Sequence, residues 1–212
     1  MYPSSATTIL AVAACLLSHV LAAPSSVDTP ATLTWTGEVV PGTGTVTLVG
    51  SDITEILDQI HAIDPDYNST PNIRSVASSK DDIDPLLCGL FATADKRNLM
   101  QIQYDLRKAG GNCTVPARTC LRISCWNTSG IYVCNDNERE IMQPCERFAD
   151  FASAVGKRCC RSGYFKSKAI SGQAFSKEGW NVCVAYANCN HANNADAPDI
   201  FGLPGLNGEC KG

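Results

Sequence analysis

An α+β fold is predicted here, a two-layer sandwich of helices on an antiparallel sheet, stapled by disulfides. Three observations carry that expectation. Twelve cysteines sit in a 212-residue chain of otherwise ordinary globular composition, 18% charged and 44% hydrophobic. Apolar stripes of helical period recur along the chain, and between them lie pairs of short alternating segments joined by turn residues. Helices interleaved with hairpins specify an antiparallel sheet rather than a doubly wound parallel one.

The chain opens on Ile9 to Leu17, an unbroken apolar run too short to span a bilayer. Small residues follow, and cleavage after Ala22 would leave Val20 and Ala22 at the recognised positions and Pro24 clear of the cut. Residues 1–22 therefore read as a secretory signal, although its first residues lack Lys and Arg. Residues 23–83 form an acidic N-terminal segment and a candidate pro-region; residues 84–212 form a cysteine-rich domain. Charge supports the division. Residues 23–95 hold eleven acidic and two basic residues, and the rest of the chain ten acidic and fifteen basic.

Within the acidic segment, Pro24 to Thr34 reads as a Ser/Thr/Pro lead-in and Gly44 to Gly50 as a short strand. Ser51-Asp52 then caps a helix, with Glu55 at capping-box distance and Ile53, Ile56, Leu57 and Ile60 on one face. Pro65 stops it, and 64–82 is read as a linker. Asp84 and Pro85 predict the start of a second helix, whose stripe of Leu87, Leu90, Phe91, Ala94, Leu99, Ile102 and Leu106 runs to Gly110-Gly111. Thr119 to Trp126 and Ile131 to Cys134 read as a hairpin with one wet face, turning within Asn127 to Gly130. A helix from Pro144 to Arg158 buries Phe148, Phe151, Ala152 and Val155, with Cys145 and Cys159 at its ends. Ala169 to Phe175 and Trp180 to Tyr186 are two further strands around Lys177-Glu178-Gly179. The Asn/Pro/Gly-rich tail 188–212 is tied down by Cys189 and Cys210.

Without the signal and its Cys15, the disulfide candidates are Cys88, Cys113, Cys120, Cys125, Cys134, Cys145, Cys159, Cys160, Cys183, Cys189 and Cys210. An odd count gives up to five bridges and one thiol, which is either buried and free or linked to a second chain in a dimer. If Ser129-Gly130 is the hairpin turn, Cys125 faces Cys134, which makes that bridge one option. Adjacent Cys159 and Cys160 must seek different partners. Asn68, Asn112 and Asn127 head glycosylation sequons. Lys96-Arg97 is a dibasic processing candidate, opposed by its place inside the predicted helix.

Chemistry is harder to find. No G-x-S-x-G, H-E-x-x-H or P-loop sequence occurs. Beyond the signal only His61 and His191 remain for acid–base work. Cys183, Cys189 and His191 have part of a zinc spacing but no fourth ligand, and Cys210 competes as a disulfide partner. No cofactor, metal or catalytic residue is therefore assigned. The basic residues are dispersed, so nucleic acid is not expected as a partner. Neither is stable membrane insertion. Trp126, Tyr132 and Trp180 would supply an aromatic carbohydrate-binding face if exposed; packing of the sheet against the helices is the competing role.

The segments Cys120-Leu121-Arg122-Ile123-Ser124-Cys125, Val133-Cys134-Asn135-Asp136-Asn137, Gly172-Gln173-Ala174-Phe175 and Trp180-Asn181-Val182 together resemble a group of small secreted cysteine-rich fungal proteins. More distantly, the order hairpin, Cys-ended helix, hairpin is similar to killer toxins of the KP-four type and to fungal effectors. The resemblance covers about residues 85–186 and implies an α/β-sandwich toxin or effector that acts on a host or competitor cell-surface target, for the toxins by disturbing ion transport. It transfers no functional residue. The expected function is a secreted, non-enzymatic effector or killer-toxin-like protein. The alternatives are a hydrolase or nuclease with an unrecognised site and a cell-wall carbohydrate-binding protein.

Overall fold

The structure, a computed structural model, describes residues 31–69, 82–160, 169–190 and Pro198. The signal segment with Ala22, His191 and Cys210 lie outside the described residues.

Leu33 and Trp35 alternate with Thr34 and Thr36, and strand β1 (Leu33–Glu38) takes in the last two residues of the predicted lead-in, whose residues 24–30 lie outside the described residues. It pairs antiparallel with β2 (Thr45–Gly50), from Leu33 opposite Gly50 to Glu38 opposite Thr45. Helix α1 (Ile53–Ile63) starts as the capping box requires. Asp52 Oδ1 accepts from the amides of Thr54 and Glu55, and Glu55 reaches back to the Ser51 amide at 2.7 Å. Those bonds satisfy amides that the first helical turn leaves without partners. Ile53, Ile56, Leu57 and Ile60 are all buried, as their spacing predicts.

The second helix is shorter than predicted. Residues Ile83–Cys88 form strand β3 instead, pairing with Leu86 opposite Ala174 and Cys88 opposite Gly172. Pro85, which has no amide to give a ladder, falls at the register irregularity of this edge strand, where proline is tolerated. Gly89 then takes a φ of 78°, which closes off helical continuation. After β4 (Ala94–Asp95), helix α2 runs from Lys96 to Ala109 with Asp95 as its cap. Gly110 and Gly111 end it as expected, with φ of 57° and 58°. The missing side chain of Gly111 also admits Trp35: a Cβ there would lie 2.8 Å from the indole, and the Trp35 Nε1–H donates to the Gly110 carbonyl at 2.9 Å.

Strands β5 (Asn112–Val115), β6 (Thr119–Trp126), β7 (Ser129–Asn135) and β8 (Ile141–Pro144) lead to α3 (Cys145–Arg158), followed by β9 (Ala169–Ile170), β10 (Gly172–Ser176) and β11 (Trp180–Tyr186). The β6–β7 hairpin turns at Asn127-Thr128, with Trp126 opposite Ser129, and not at Ser129-Gly130. Asn127 supplies the left-handed φ, 54°, that a tight hairpin turn needs. A bulge between Arg122 and Ser124 then brings Cys120, not Cys125, opposite Cys134. The Cys125–Cys134 option therefore gives way to Cys120–Cys134 and Cys125–Cys189.

The described residues thus form an α+β fold of three helices and eleven strands, with every named strand pair antiparallel. One sheet has the order β2-β1-β5-β8, a second β3-β10-β11-β7-β6, and β4 pairs with β9. Helices α2 and α3 pack on the five-stranded sheet and α1 on α2 and β2. Phe148, Phe151, Ala152 and Val155 are buried as predicted. Phe148 meets Trp180 edge-on at 5.3 Å, and the Arg147 guanidinium lies over the same indole at 5.2 Å. Gly156 lets the two helices touch, since a Cβ there would sit 2.5 Å from Leu99.

Helix α3 is bonded at both ends. Cys145 joins Cys113 on β5, and Cys159 joins Cys88 on β3. Cys160 is disulfide-bonded too, so the adjacent pair does face different partners. No helix among the described residues is long and apolar enough to cross a membrane.

Two outcomes follow for stability. Cross-links that close longer loops restrict the unfolded chain more. Replacing Cys88 and Cys159 (71 residues apart) by Ala should thus cost about 4 kcal/mol, against about 3 for Cys120 and Cys134 (14 apart), read from denaturant unfolding. Equal or reversed losses would contradict the loop assignment. Hydrogen bonding to Arg147, chiefly, holds the Glu178 carboxyl below its usual pKa. Its stabilising contribution is therefore complete above the ordinary value of 4.5 and is lost as pH falls through the lowered folded-state value. The stability gap between the native chain and Glu178→Gln should narrow on acidification; a gap that is constant with pH would refute the contribution.

Candidate functional site

The five-stranded sheet has two faces of different character. Leu121, Val133, Val182 and Ala174 lie in register on the face that meets the helices. On the outer face one row runs Cys120, Cys134, Asn181, Phe175 across β6, β7, β11 and β10; the next runs Arg122, Tyr132, Cys183, Gln173. The hairpin was expected to keep one face wet. Instead Phe91, Cys125, Tyr132, Cys183, Ala185 and Ala187 form a second, smaller buried cluster over it. The Cys125–Cys189 bridge holds the chain after β11 there, and Arg122 Nη1 donates to the Asn188 carbonyl at 3.1 Å. Cysteine and tyrosine at alternate positions had masked this burial, because neither reads as a committed core residue.

Beside that cluster a cavity of about 520 Å³ opens on the outer face, lined among others by Phe91, Asp136, Gln173, Phe175, Asn181 and the Cys120–Cys134 bridge. Three planar polar side chains form a chain along it. Gln173 Nε2–H donates to Asn181 Oδ1 at 2.8 Å, and Asn181 Nδ2–H donates to Asp136 Oδ2 at 3.0 Å. The Cys183 thiol donates to the same Asn181 oxygen at 3.5 Å.

Asp136 owes its position to its neighbours. Asn135 is buried and directs its amide at the carbonyls of Val115, Pro116 and Arg139. Asn137 donates to the carbonyls of Glu178 and Gly179, where Gly179 takes a φ of 78°. The two asparagines thus clamp three loops together and leave the carboxylate between them free to face the cavity. Phe91 is fixed through its backbone: Ser171 Oγ accepts from the Phe91 amide and donates to its carbonyl, at 3.0 and 2.7 Å. The cavity residues Asp136, Gln173, Phe175 and Asn181 all belong to the segments quoted above for the family resemblance, but none had been assigned a role.

The other sequence candidates lie elsewhere. His61 sits at the α1–α2 contact, with Lys108 Nζ 3.0 Å from its Nε2 and Tyr67 edge-on at 6.4 Å. Tyr132 and Trp180 are buried, while Trp126 is half-exposed, so the three do not make one aromatic surface. Lys96 and Arg97 lie at the start of α2, not within a longer helix, and Arg97 pairs with Asp95 at 2.6 Å. Asn68 and Asn127 are exposed. Asn112 is half-buried on an interior strand, beside bonded Cys113 and buried Thr114. Among the described residues no group of three or more His, Cys, Asp or Glu side chains is arranged to hold a metal ion.

No family model, curated protein or solved structure matches the chain.

Cys183 is the free cysteine among the described residues. It is 1% exposed, and burial, chiefly, with Asp136 nearby, pushes its pKa up to about 12. In this conformation the thiol is closed to a second chain, which removes Cys183 as the link of a disulfide dimer. Thiol-specific alkylation near pH 8 should label Cys183 in denaturant and leave it unlabelled in the native protein, where the sulfur is buried and held protonated. Rapid native labelling would show that the face opens.

Proposed function

We propose that this chain is a secreted, disulfide-stapled effector or killer-toxin-like protein that acts on other cells by binding, with the outer-face cavity as its recognition site. The observation that supports this most is the anchoring of that cavity. The Cys120–Cys134 bridge lines it, Cys125–Cys189 holds the chain beside it, and Cys88–Cys159 fixes the strand at the far edge of the same sheet. Rigid walls favour binding because little freedom is lost when a ligand arrives. Four disulfides among the described residues also fit an oxidising compartment.

The hydrolase reading has less support. General acid–base catalysis needs a second titratable group within reach of the first. Asp136 is the one carboxylate among the described lining residues, which include no histidine, and Cys183 stays protonated at neutral pH.

Purified protein applied to a panel of competing fungi and plant tissues should cause growth arrest or ion leakage in at least one target. Prior reduction of the disulfides should abolish the effect. Inertness across a broad panel, or full activity after reduction, would overturn the proposal.

A further inference from the structure

We infer that the outer-face cavity is a saccharide site that takes a neutral sugar residue of a cell-surface glycan. This rests on the reading of the cavity as a recognition site and names what it would recognise.

The cavity's size, about 520 Å³, is that of a small-molecule site. Its polar groups decide among ligand classes. Asn181, 2% exposed, spends its oxygen on Gln173 and Cys183 and one N–H on Asp136, which leaves one N–H. Gln173 retains its carbonyl oxygen and one N–H, and Asp136 retains Oδ1, since these atoms have no partner among the described residues. Uncommitted donors and acceptors therefore both remain along this hydrogen-bonded chain of three side chains. Vicinal hydroxyls, each able to donate and accept, match such a set. Phe91 and Phe175, lining the same cavity, offer apolar surface for the C–H face of a sugar ring.

Other classes fit less well. Among the described lining residues Arg118 is the one cation, and it is paired with Glu138, so an anion finds no uncommitted charge there. A metal cation would find a single carboxylate among the same residues. A wholly apolar ligand would strip water from three polar side chains without replacing its bonds. An extended peptide adds to a sheet through an open strand edge, whereas Cys134, Gln173, Phe175 and Asn181 line this cavity from the face of the interior strands β7, β10 and β11.

Gluco-, chito- and manno-hexaoses, with an oligoglucuronate as charged control, can be titrated into the full secreted protein. Binding would be followed by calorimetry and by residue-resolved NMR shifts. At least one neutral oligosaccharide should bind saturably and shift Gln173, Asn181 and Asp136. Gln173→Ala and Asp136→Asn should each weaken that binding at least tenfold, and Trp126→Ala, at the far end of the hairpin, should leave it unchanged. Should a cavity variant fail to fold, the shifts on the unmodified protein decide. No neutral binding, binding of the charged control alone, shifts confined to other surfaces, or undiminished binding by folded cavity variants overturns the inference. The cell assay separates the two proposals. Action on cells without sugar binding sinks the saccharide site alone; sugar binding without action on any cell sinks the effector reading alone.

Discussion

Helix α3 is the constraint on which the rest of the structure depends. Its two ends are covalently attached to strands of different sheets, Cys145 to β5 and Cys159 to β3. Between those attachments Phe148 and Phe151 press on Trp180, which belongs to β11 in the middle of the five-stranded sheet. Movement of the helix would therefore disturb both sheets at once. The acidic N-terminal part shares in this: Leu33, Trp35, Ile53, Ile56 and Ile60 lie in the same core as α2 and α3, and β1 pairs directly with β5. Loss of that part would take Trp35 out of the core and uncover one edge of β5.

The outer face depends on the inner one. With its helix side packed, the sheet holds a defined register, and that register aligns residues from β6, β7, β10 and β11 into two rows. Two local features decide the disulfide pattern: the turn at Asn127-Thr128 sets Cys125 opposite Gly130, and the bulge at the Arg122–Ser124 step shifts every later pairing by one residue. Cys120 therefore meets Cys134 beside the cavity, while Cys125 holds the chain beyond β11. Cys183 lies in the floor as a small buried thiol whose proton fixes one orientation of Asn181.

How much of this could be read from the sequence varied with how local its cause is. Helix α1 was legible to its caps, because Ser51, Asp52 and Glu55 act within one turn, and α3 was legible because its apolar spacing is uninterrupted. Strand β3 was not. Leu87, Leu90, Phe91 and Ala94 do keep helical spacing, but Gly89 and pairing with β10 decide otherwise, and pairing is a long-range property. Strand β1 had its signal in the alternation of Leu33 and Trp35, hidden by the surrounding threonines and prolines. Gln173, Asn181 and Asp136 are unremarkable singly and come together only when two strands and a loop converge.

Peptide mapping of the unreduced protein is the direct test of this cross-linking. Peptides joined Cys88 to Cys159, Cys113 to Cys145, Cys120 to Cys134 and Cys125 to Cys189 should be found, with Cys183 recovered as a thiol. A bridge containing Cys183, or recovery of most of these cysteines unpaired, would contradict it.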